Sequence, residues 1–331
     1  MKMTKFAAVA AMALTGLSAS GLVQAQALVK VDGSSTVYPI TEAVAEDFQK
    51  SKKNSVRVTV GISGTGGGFK KFCRGETDVS DASRPITKKE IEDCKAAGIE
   101  FIELPIAYDA LTVVINPKND WARNMTVAEL KAIWEPAAQG KITSWKQVNP
   151  AWPDRPIKLY GPGADSGTFE YFTEAINGKA KATRGDFTAS EDDNVLVQGV
   201  ARDVGGLGYF GFAYFIENKD KLAAVSVADA GKPPVAPSMQ SVVDGTYQPL
   251  ARPIFIYVNA KAADRPEVKE FVEFYMKHGE SLTKEVKYVP LPAKAYAYNV
   301  EQFTKRAKGT KFGGENKVGM TIDMLMKLEA K

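Results

Sequence analysis

The sequence has very little of the residue types on which most enzyme chemistry depends. Its 331 residues include one histidine, His278, and two cysteines, Cys73 and Cys94. A Ser-His-Asp hydrolase would need His278 as its base, and this residue lies in the polar context "YMKHGE". The same shortage argues against a metal site built from histidine and cysteine. These absences favour a protein that binds a ligand, without cofactor or metal, over one that catalyses a reaction.

The sequence also lacks the phosphate-loop motif G-x-x-x-x-G-K-[ST], which the glycine-rich segment "GTGGGFKKF" does not match. It has no large excess of charge of either sign, with 43 basic and 39 acidic residues. Without the two lysines of the N-terminal leader described next, the net charge is +2. Domains that bind nucleic acid concentrate basic charge, so no nucleic-acid partner is expected.

Long apolar runs are missing except at the N-terminus. Lys2 and Lys5 flank the start of the apolar run "FAAVAAMALTGL", and the small-x-small sequence "AQA" follows at 25–27. This pattern predicts a signal peptide over residues 1–27, cleaved after Ala27 or, through "VQA", after Ala25. A membrane anchor is the alternative, but the run is short and rich in alanine. We therefore expect an exported protein.

Export makes the two cysteines informative. In an oxidising compartment a single pair is most simply a structural disulfide, so we predict a bond between Cys73 and Cys94. Free reactive thiols are the alternative.

Strand-like and helix-like segments alternate along the chain. Alternating or apolar strand candidates occupy 27–31, 56–60, 157–160 and 205–212. Helical spacing follows the first three, a further helical pattern covers 190–203, and "TKKE" (87–90) and "TVAE" (126–129) are capping boxes. This order predicts an α/β protein with largely parallel sheets.

Two near-continuous apolar runs, 110–117 and 252–259, are typical of buried strands. They are placed where the chain would pass between two lobes. The predicted lobes are 28–109 plus 258–331, and 110–257 including the two hinge strands. Such a protein has a ligand cleft between its lobes that closes by hinge motion.

Three joints from strand to helix share one composition. They are "DGSST" (32–36), "ISGTGGG" (62–68) and "GADSGT" (163–168). A helix start exposes unpaired N–H groups and partial positive charge, and glycine lets a ligand approach that backbone. Each joint alone is also explained as an ordinary helix cap. Together they indicate a site for an anion, because ligands of open α/β sheets bind beyond the carboxyl ends of the strands.

These joints resemble those of the PstS family, the phosphate-binding proteins of bacterial phosphate ABC transporters. The segments that carry the resemblance are "DGSSTVYPITEAVAEDF", "GISGTGGGFKKF", "TDVSDASRPI", "GPGADSGTFEYF" and "GLGYFGFAYF". The resemblance implies a type II-like periplasmic-binding-protein fold whose two lobes close on one dehydrated phosphate. It also implies a periplasmic monomer that delivers phosphate to an inner-membrane permease.

The resemblance further implies a set of phosphate ligands spread over the three joints. They are Ser35, Thr36 and the Val37 backbone at the first, Ser63 and Thr65 at the second, and Ser166, Gly167 and Thr168 at the third.

The sequence departs from the family pattern at two positions. Ser83 stands where an acidic residue accepts the proton of phosphate, and Pro162 stands where other members carry arginine. We expect Ser83 to be a ligand, Arg84 to supply the charge, and Asp81 or Asp165 to accept the proton. The alternatives are a site for another tetrahedral oxyanion, such as sulfate or molybdate, and a secreted phosphatase or hydrolase that uses Ser166.

Overall fold

The computed structural model describes residues 26–229 and 231–328. The predicted signal peptide lies outside the described residues as far as position 25. The strands are β1 (Ala27–Gly33), β2 (Val56–Ile62), β3 (Val79–Ala82), β4 (Phe101–Ile115), β5 (Asn124–Thr126), β6 (Lys158–Pro162), β7 (Thr188–Ser190), β8 (Gly206–Gly211), β9 (Ala223–Ala224), β10 (Ser226–Ala228), β11 (Ala251–Asn259) and β12 (Val289–Pro290).

The helices confirm the alternation expected from the sequence. They are α1 (Tyr38–Ser51), α2 (Gly64–Cys73), α3 (Lys88–Ala96), α4 (Val127–Trp134), α5 (Trp145–Val148), α6 (Gly167–Asn177), α7 (Asp193–Arg202), α8 (Phe212–Glu217), α9 (Met239–Val243), α10 (Pro266–Glu285), α11 (Ala293–Thr304) and α12 (Ile322–Met326). Both predicted capping boxes are present, at Thr87 with Glu90 and at Thr126 with Glu129. Within the described ranges, no helix has both the length and the apolar character needed to cross a bilayer.

One large sheet runs through the molecule in the order β2-β1-β3-β11-β4-β8-β6-β7, with β9 and β12 also paired to β4. β1 is parallel to β2 and β3, and β6 is parallel to β7 and β8. β11 is antiparallel to β3 and β4, and β4 is antiparallel to β8. The expectation of largely parallel sheets is therefore wrong, because the two strands that join the halves run against their neighbours.

The two apolar runs form the centre of this sheet. All 15 residues of β4 and all nine of β11 are buried. β4 pairs with β11 through Ala110 and then with β8 from Leu111 onward, so this single strand belongs to both halves. β4 starts at Phe101, nine residues before the predicted strand. Residues 101–109 were not predicted as strand because Glu103, Pro105 and Asp109 interrupt their apolar pattern.

The C-terminal segment that follows α11 returns across the molecule. Gly309 bridges to Ile102 of β4. Further along, the Asn316 side chain donates to Glu174 of α6 at 2.7 Å, and the Gly319 N–H donates to the Tyr171 hydroxyl at 3.3 Å. This segment therefore contacts elements on both sides of the central strands.

The predicted disulfide is confirmed. Cys73 at the end of α2 is bonded to Cys94 in α3, with the two Cα atoms 4.3 Å apart. The bond links the helix that carries the second glycine-rich joint to its neighbour in the fold.

Replacing both cysteines with serine is expected to lower the free energy of unfolding by about 3 kcal/mol, because the bond closes a loop with a sequence separation of 21 residues. Guanidinium unfolding measures this effect. The matched control is the wild-type chain with reductant, which should unfold at the midpoint of the double variant. Equal midpoints for oxidised wild type and variant would contradict the stabilising role.

Candidate functional site

The N-termini of α1 and α6 meet through their hydroxyl residues. Thr36, just before α1, and Thr168, in the first turn of α6, have their Oγ1 atoms 2.9 Å apart, and both side chains are buried. The start of α2 joins them, since the Gly66 N–H donates to the Asp165 carbonyl at 2.8 Å. Three partial positive charges from helix starts therefore point toward one buried region.

The third joint caps its helix and still has a hydroxyl donor that the cap does not use. The Ser166 Oγ accepts from the Thr168 N–H at 3.1 Å and the Phe169 N–H at 3.4 Å, which makes Ser166 the N-cap of α6. Because the oxygen accepts both bonds, the hydroxyl proton is not used by the cap. The cap and a role in ligand binding are therefore compatible.

The second joint contributes Thr65 rather than Ser63 to this buried region. The Thr65 Oγ1 lies 3.1 Å from the Ser83 Oγ and accepts from the Ser83 N–H at 3.1 Å. Gly167 sits directly against both hydroxyls, since a Cβ at this position would lie 2.5 Å from each oxygen. Ser63 instead hydrogen-bonds the partly buried Asp32 near the end of β1.

The backbone of the first joint is held by tyrosines from distant parts of the chain. The Tyr288 hydroxyl donates to the Thr36 carbonyl at 2.6 Å, and the Tyr214 hydroxyl donates to the Ser35 carbonyl at 3.2 Å. These bonds occupy carbonyl oxygens and so keep acceptors from facing an anion. Val37 is fully buried immediately before α1.

An arginine outside the three joints completes the cluster. Arg252 of β11 donates to the Gly167 carbonyl at 2.9 Å and to the Thr168 Oγ1 at 2.7 Å, and pairs with Asp109 at 3.1 Å. It is 1% exposed, and its Nε–H has no hydrogen-bond partner among the described residues. Burial raises the pKa of Asp109, and Arg252 opposes this shift. The sequence feature that could have pointed to Arg252 is a charged residue at the start of an otherwise apolar strand.

Arg84, the arginine selected from the sequence, has other partners. Its guanidinium pairs with Glu90 of α3 at 2.8 Å and with Glu170 of α6, and Glu170 also pairs with Lys181 at 2.9 Å. Arg84 is 3% exposed, so these carboxylates neutralise a buried charge. The structure does not bring Arg84 into contact with the hydroxyl cluster, and its role in phosphate binding stays a prediction.

The two carboxyls selected as proton acceptors lie in different surroundings. Asp81 of β3 is fully buried and accepts from the Thr41 hydroxyl at 3.0 Å. Burial raises the pKa of Asp81 well above its usual value, although the Thr41 hydroxyl opposes this. Asp165 is more exposed and pairs with Lys70 at 2.8 Å. A proton-accepting role for either residue stays a prediction.

Comparison with known proteins identifies the family. A model described as a PBP superfamily domain matches residues 19–278. The phosphate-binding protein PstS of Staphylococcus saprophyticus is 41% identical over 81% of this chain and 82% of its own length. The chain belongs to the PstS family within this superfamily. Protein SphX of Synechococcus elongatus is 55% identical over 92% of this chain and 89% of its own length.

Similar solved structures support the same architecture. A possible phosphate binding protein from Planctomyces limnophilus is 50% identical, with a TM-score of 0.63 over 85% of this chain and 98% of its own. A Clostridium perfringens protein with bound phosphate is 26% identical, with a TM-score of 0.66 over 80% of this chain and all of its own. The predicted two-lobed α/β binding-protein fold is thereby confirmed.

Proposed function

We propose that this protein binds one inorganic phosphate ion between its two lobes and delivers it to the membrane permease of an ABC transporter. The observation that carries the proposal is the buried convergence of hydroxyl groups and helix N-termini around Arg252, whose Nε–H is unpaired among the described residues. The curated relatives named PstS are called phosphate-binding proteins, which supports the same ligand.

In this proposal the ligand is held by short N–H and O–H donors in a site without water, where each bond is stronger than in solvent. The proposed donors are Ser35, Thr36, the Val37 backbone, Thr65, Ser83, Ser166, Gly167, Thr168 and Arg252, with Ser63 at the margin. The Oγ1 of Thr168 accepts from Arg252, so its own proton can be directed at the ligand. Arg252 thus supplies the charge that Pro162 does not.

We further propose that the chain is exported to the periplasm by the predicted signal peptide and catalyses no reaction. The proposed lobes are 28–109 plus 258–331, and 110–257. The change of β4 from one partner strand to another at Ala110 and Leu111 supports the first limit. In this proposal an opening motion about the two central strands would separate Thr36 from Thr168, whose hydroxyls lie 2.9 Å apart in the structure, and admit the ligand.

Isothermal titration of the purified protein, stripped of co-purified ligand by unfolding and refolding, tests the proposal. We expect one phosphate per chain with a dissociation constant of about 1 μM or lower. Sulfate should compete only at far higher concentration. Comparable competition by sulfate would contradict the phosphate assignment. Turnover of a chromogenic phosphate ester that disappears in Ser166→Ala would instead show a hydrolase.

A further inference from the structure

One carboxyl group close to the proposed phosphate site has no partner. Asp193, the first residue of α7, is 1% exposed, and neither carboxyl oxygen has a hydrogen-bond partner within the described part of the chain. Buried polar atoms in native proteins are nearly always hydrogen-bonded. A helix start favours a carboxylate through its dipole, but this does not supply the missing bonds. Two orphan oxygens on one side chain therefore point to a ligand.

The position of Asp193 places it beside the hydroxyl cluster. The Gly211 N–H at the end of β8 lies near this carboxyl and opposes the rise of its pKa, without meeting hydrogen-bond geometry at either oxygen. Gly211 lies in turn against the site, because a Cβ there would lie 3.3 Å from the Thr36 Cγ2, 3.3 Å from the Tyr288 hydroxyl and 3.6 Å from Asp109. The charged and titratable groups that face Asp193 are Asp109 of β4, Arg252 of β11, Tyr214 of α8, Tyr288 next to β12 and the adjacent Asp192.

The charges of these neighbouring groups decide in which protonation state Asp193 can contribute to ligand binding. Asp109 and Asp193 face a single arginine, so two ionised carboxylates would leave a net negative charge beside an anion site. Burial raises the pKa of Asp193 to about 8, Asp109 raises it further, and Arg252 opposes the shift. Asp193 is therefore mainly a neutral carboxylic acid at pH 7, and a neutral acid carries an O–H donor.

We propose that Asp193 donates a hydrogen bond from its protonated carboxyl to the bound oxyanion, and that its ionisation weakens binding at alkaline pH. The inference rests on the proposed phosphate site and adds a donor that neither the three joints nor Arg252 provides. The proton stays on Asp193 in the complex, so no bond is broken. An apolar environment is a known means of keeping a carboxyl protonated so that it can donate to an oxyanion.

The test is the phosphate affinity of the wild type, Asp193→Asn and Asp192→Asn between pH 6 and pH 10, measured by titration calorimetry. Asparagine supplies an N–H donor that does not ionise, and the ionisation of phosphate itself cancels in the ratio of two affinities. We expect the ratio of wild type to D193N to fall about tenfold per pH unit above about pH 8. D192N is the matched control, because Asp192 is exposed and asparagine is an equally good N-cap.

A second readout needs no ligand. The pKa of Asp193 is about 4 in the unfolded chain and about 8 in the fold. Between these values the unfolded chain has lost the proton and the folded chain keeps it, so the free energy of unfolding falls as pH rises from about 4 to about 8. The melting temperature of ligand-free wild type should therefore fall relative to D193N over that interval. A constant difference would overturn the inference.

The remaining outcomes are equally distinct. A constant affinity ratio from pH 6 to pH 10 would give Asp193 a purely structural role and overturn the proposal. If the wild type still bound phosphate at pH 10 and D193N also bound sulfate, Asp193 would be an ionised acceptor of a hydrogen bond from phosphate. This result would also overturn the proposal. Absence of phosphate binding at pH 7 by the wild type would instead refute the proposed function, whereas the ligand-free melting data would still report the state of Asp193.

Discussion

Replacing Arg252 with glutamine is expected to weaken phosphate binding by about a hundredfold or more, a loss of about 3 kcal/mol. The guanidinium fixes the Gly167 carbonyl and the Thr168 hydroxyl and holds its Nε–H without a partner among the described residues. Glutamine removes the positive charge and most of these donors. It also leaves Asp109 buried without its ion pair, which adds a cost in stability. Titration calorimetry and thermal unfolding separate the two effects.

Arg84→Gln is the matched comparison, because Arg84 is also buried and paired with carboxylates. We expect this variant to lose less than about tenfold in affinity, since its partners Glu90 and Glu170 lie outside the hydroxyl cluster. Arg252→Lys keeps the charge but not the forked geometry, and an intermediate loss is expected. If R84Q lost more affinity than R252Q, the sequence-based assignment of the charge to Arg84 would be preferred over ours.

The three glycine-rich joints were predictable because a helix start is a local event. Ser166 before Gly167 and Thr168 is a cap signature that can be read within six residues. The strand before each joint is equally local, since a period of two or a buried apolar run needs only its own residues. The arrangement of three such joints around one region followed from the general position of ligands in α/β sheets.

The pairing of Arg252 with Asp109 was not predictable from the same local patterns. These residues are directly opposite each other in the ladder between β11 and β4, although 143 positions separate them in the chain. A slip of β11 by one residue against β4 would turn Arg252 to the other face of the sheet from Asp109. The contact therefore depends on a long-range register that no short segment encodes.

Arg84 was expected to supply the charge because Pro162 stands where other members of the family carry arginine, but the fold gives Arg84 other partners. Ser83 and Arg84 lie in the bend that follows β3, and their side chains have different partners. The hydroxyl of Ser83 lies against Thr65, whereas the guanidinium of Arg84 reaches Glu90 and Glu170. Because Glu170 belongs to α6 and Glu90 to α3, this ion-pair network joins elements on the two sides of the cluster.

Adding one methyl group at Gly167 is the second change for which we expect a large effect. A Cβ at this position would lie 2.5 Å from the hydroxyl oxygens of Ser83 and Thr65, closer than any real contact of this kind. Both oxygens are buried and belong to the proposed donor set, so they cannot move aside without leaving the ligand. We expect Gly167→Ala to lower phosphate affinity by about a hundredfold or more. Titration calorimetry measures the loss.

The ligand-free G167A variant should stay folded and lose about 1–3 kcal/mol of stability to the overlap, so its affinity can be measured on an intact fold. Gly167 is the first residue of α6, and alanine is the better helix former there. Gly185→Ala is the matched control, since a Cβ at that exposed position meets only the Gln139 side chain, at 3.4 Å. Wild-type affinity in G167A would show that the Ser83 and Thr65 hydroxyls are not fixed around the ligand. It would then remove this part of α6 from the proposed site.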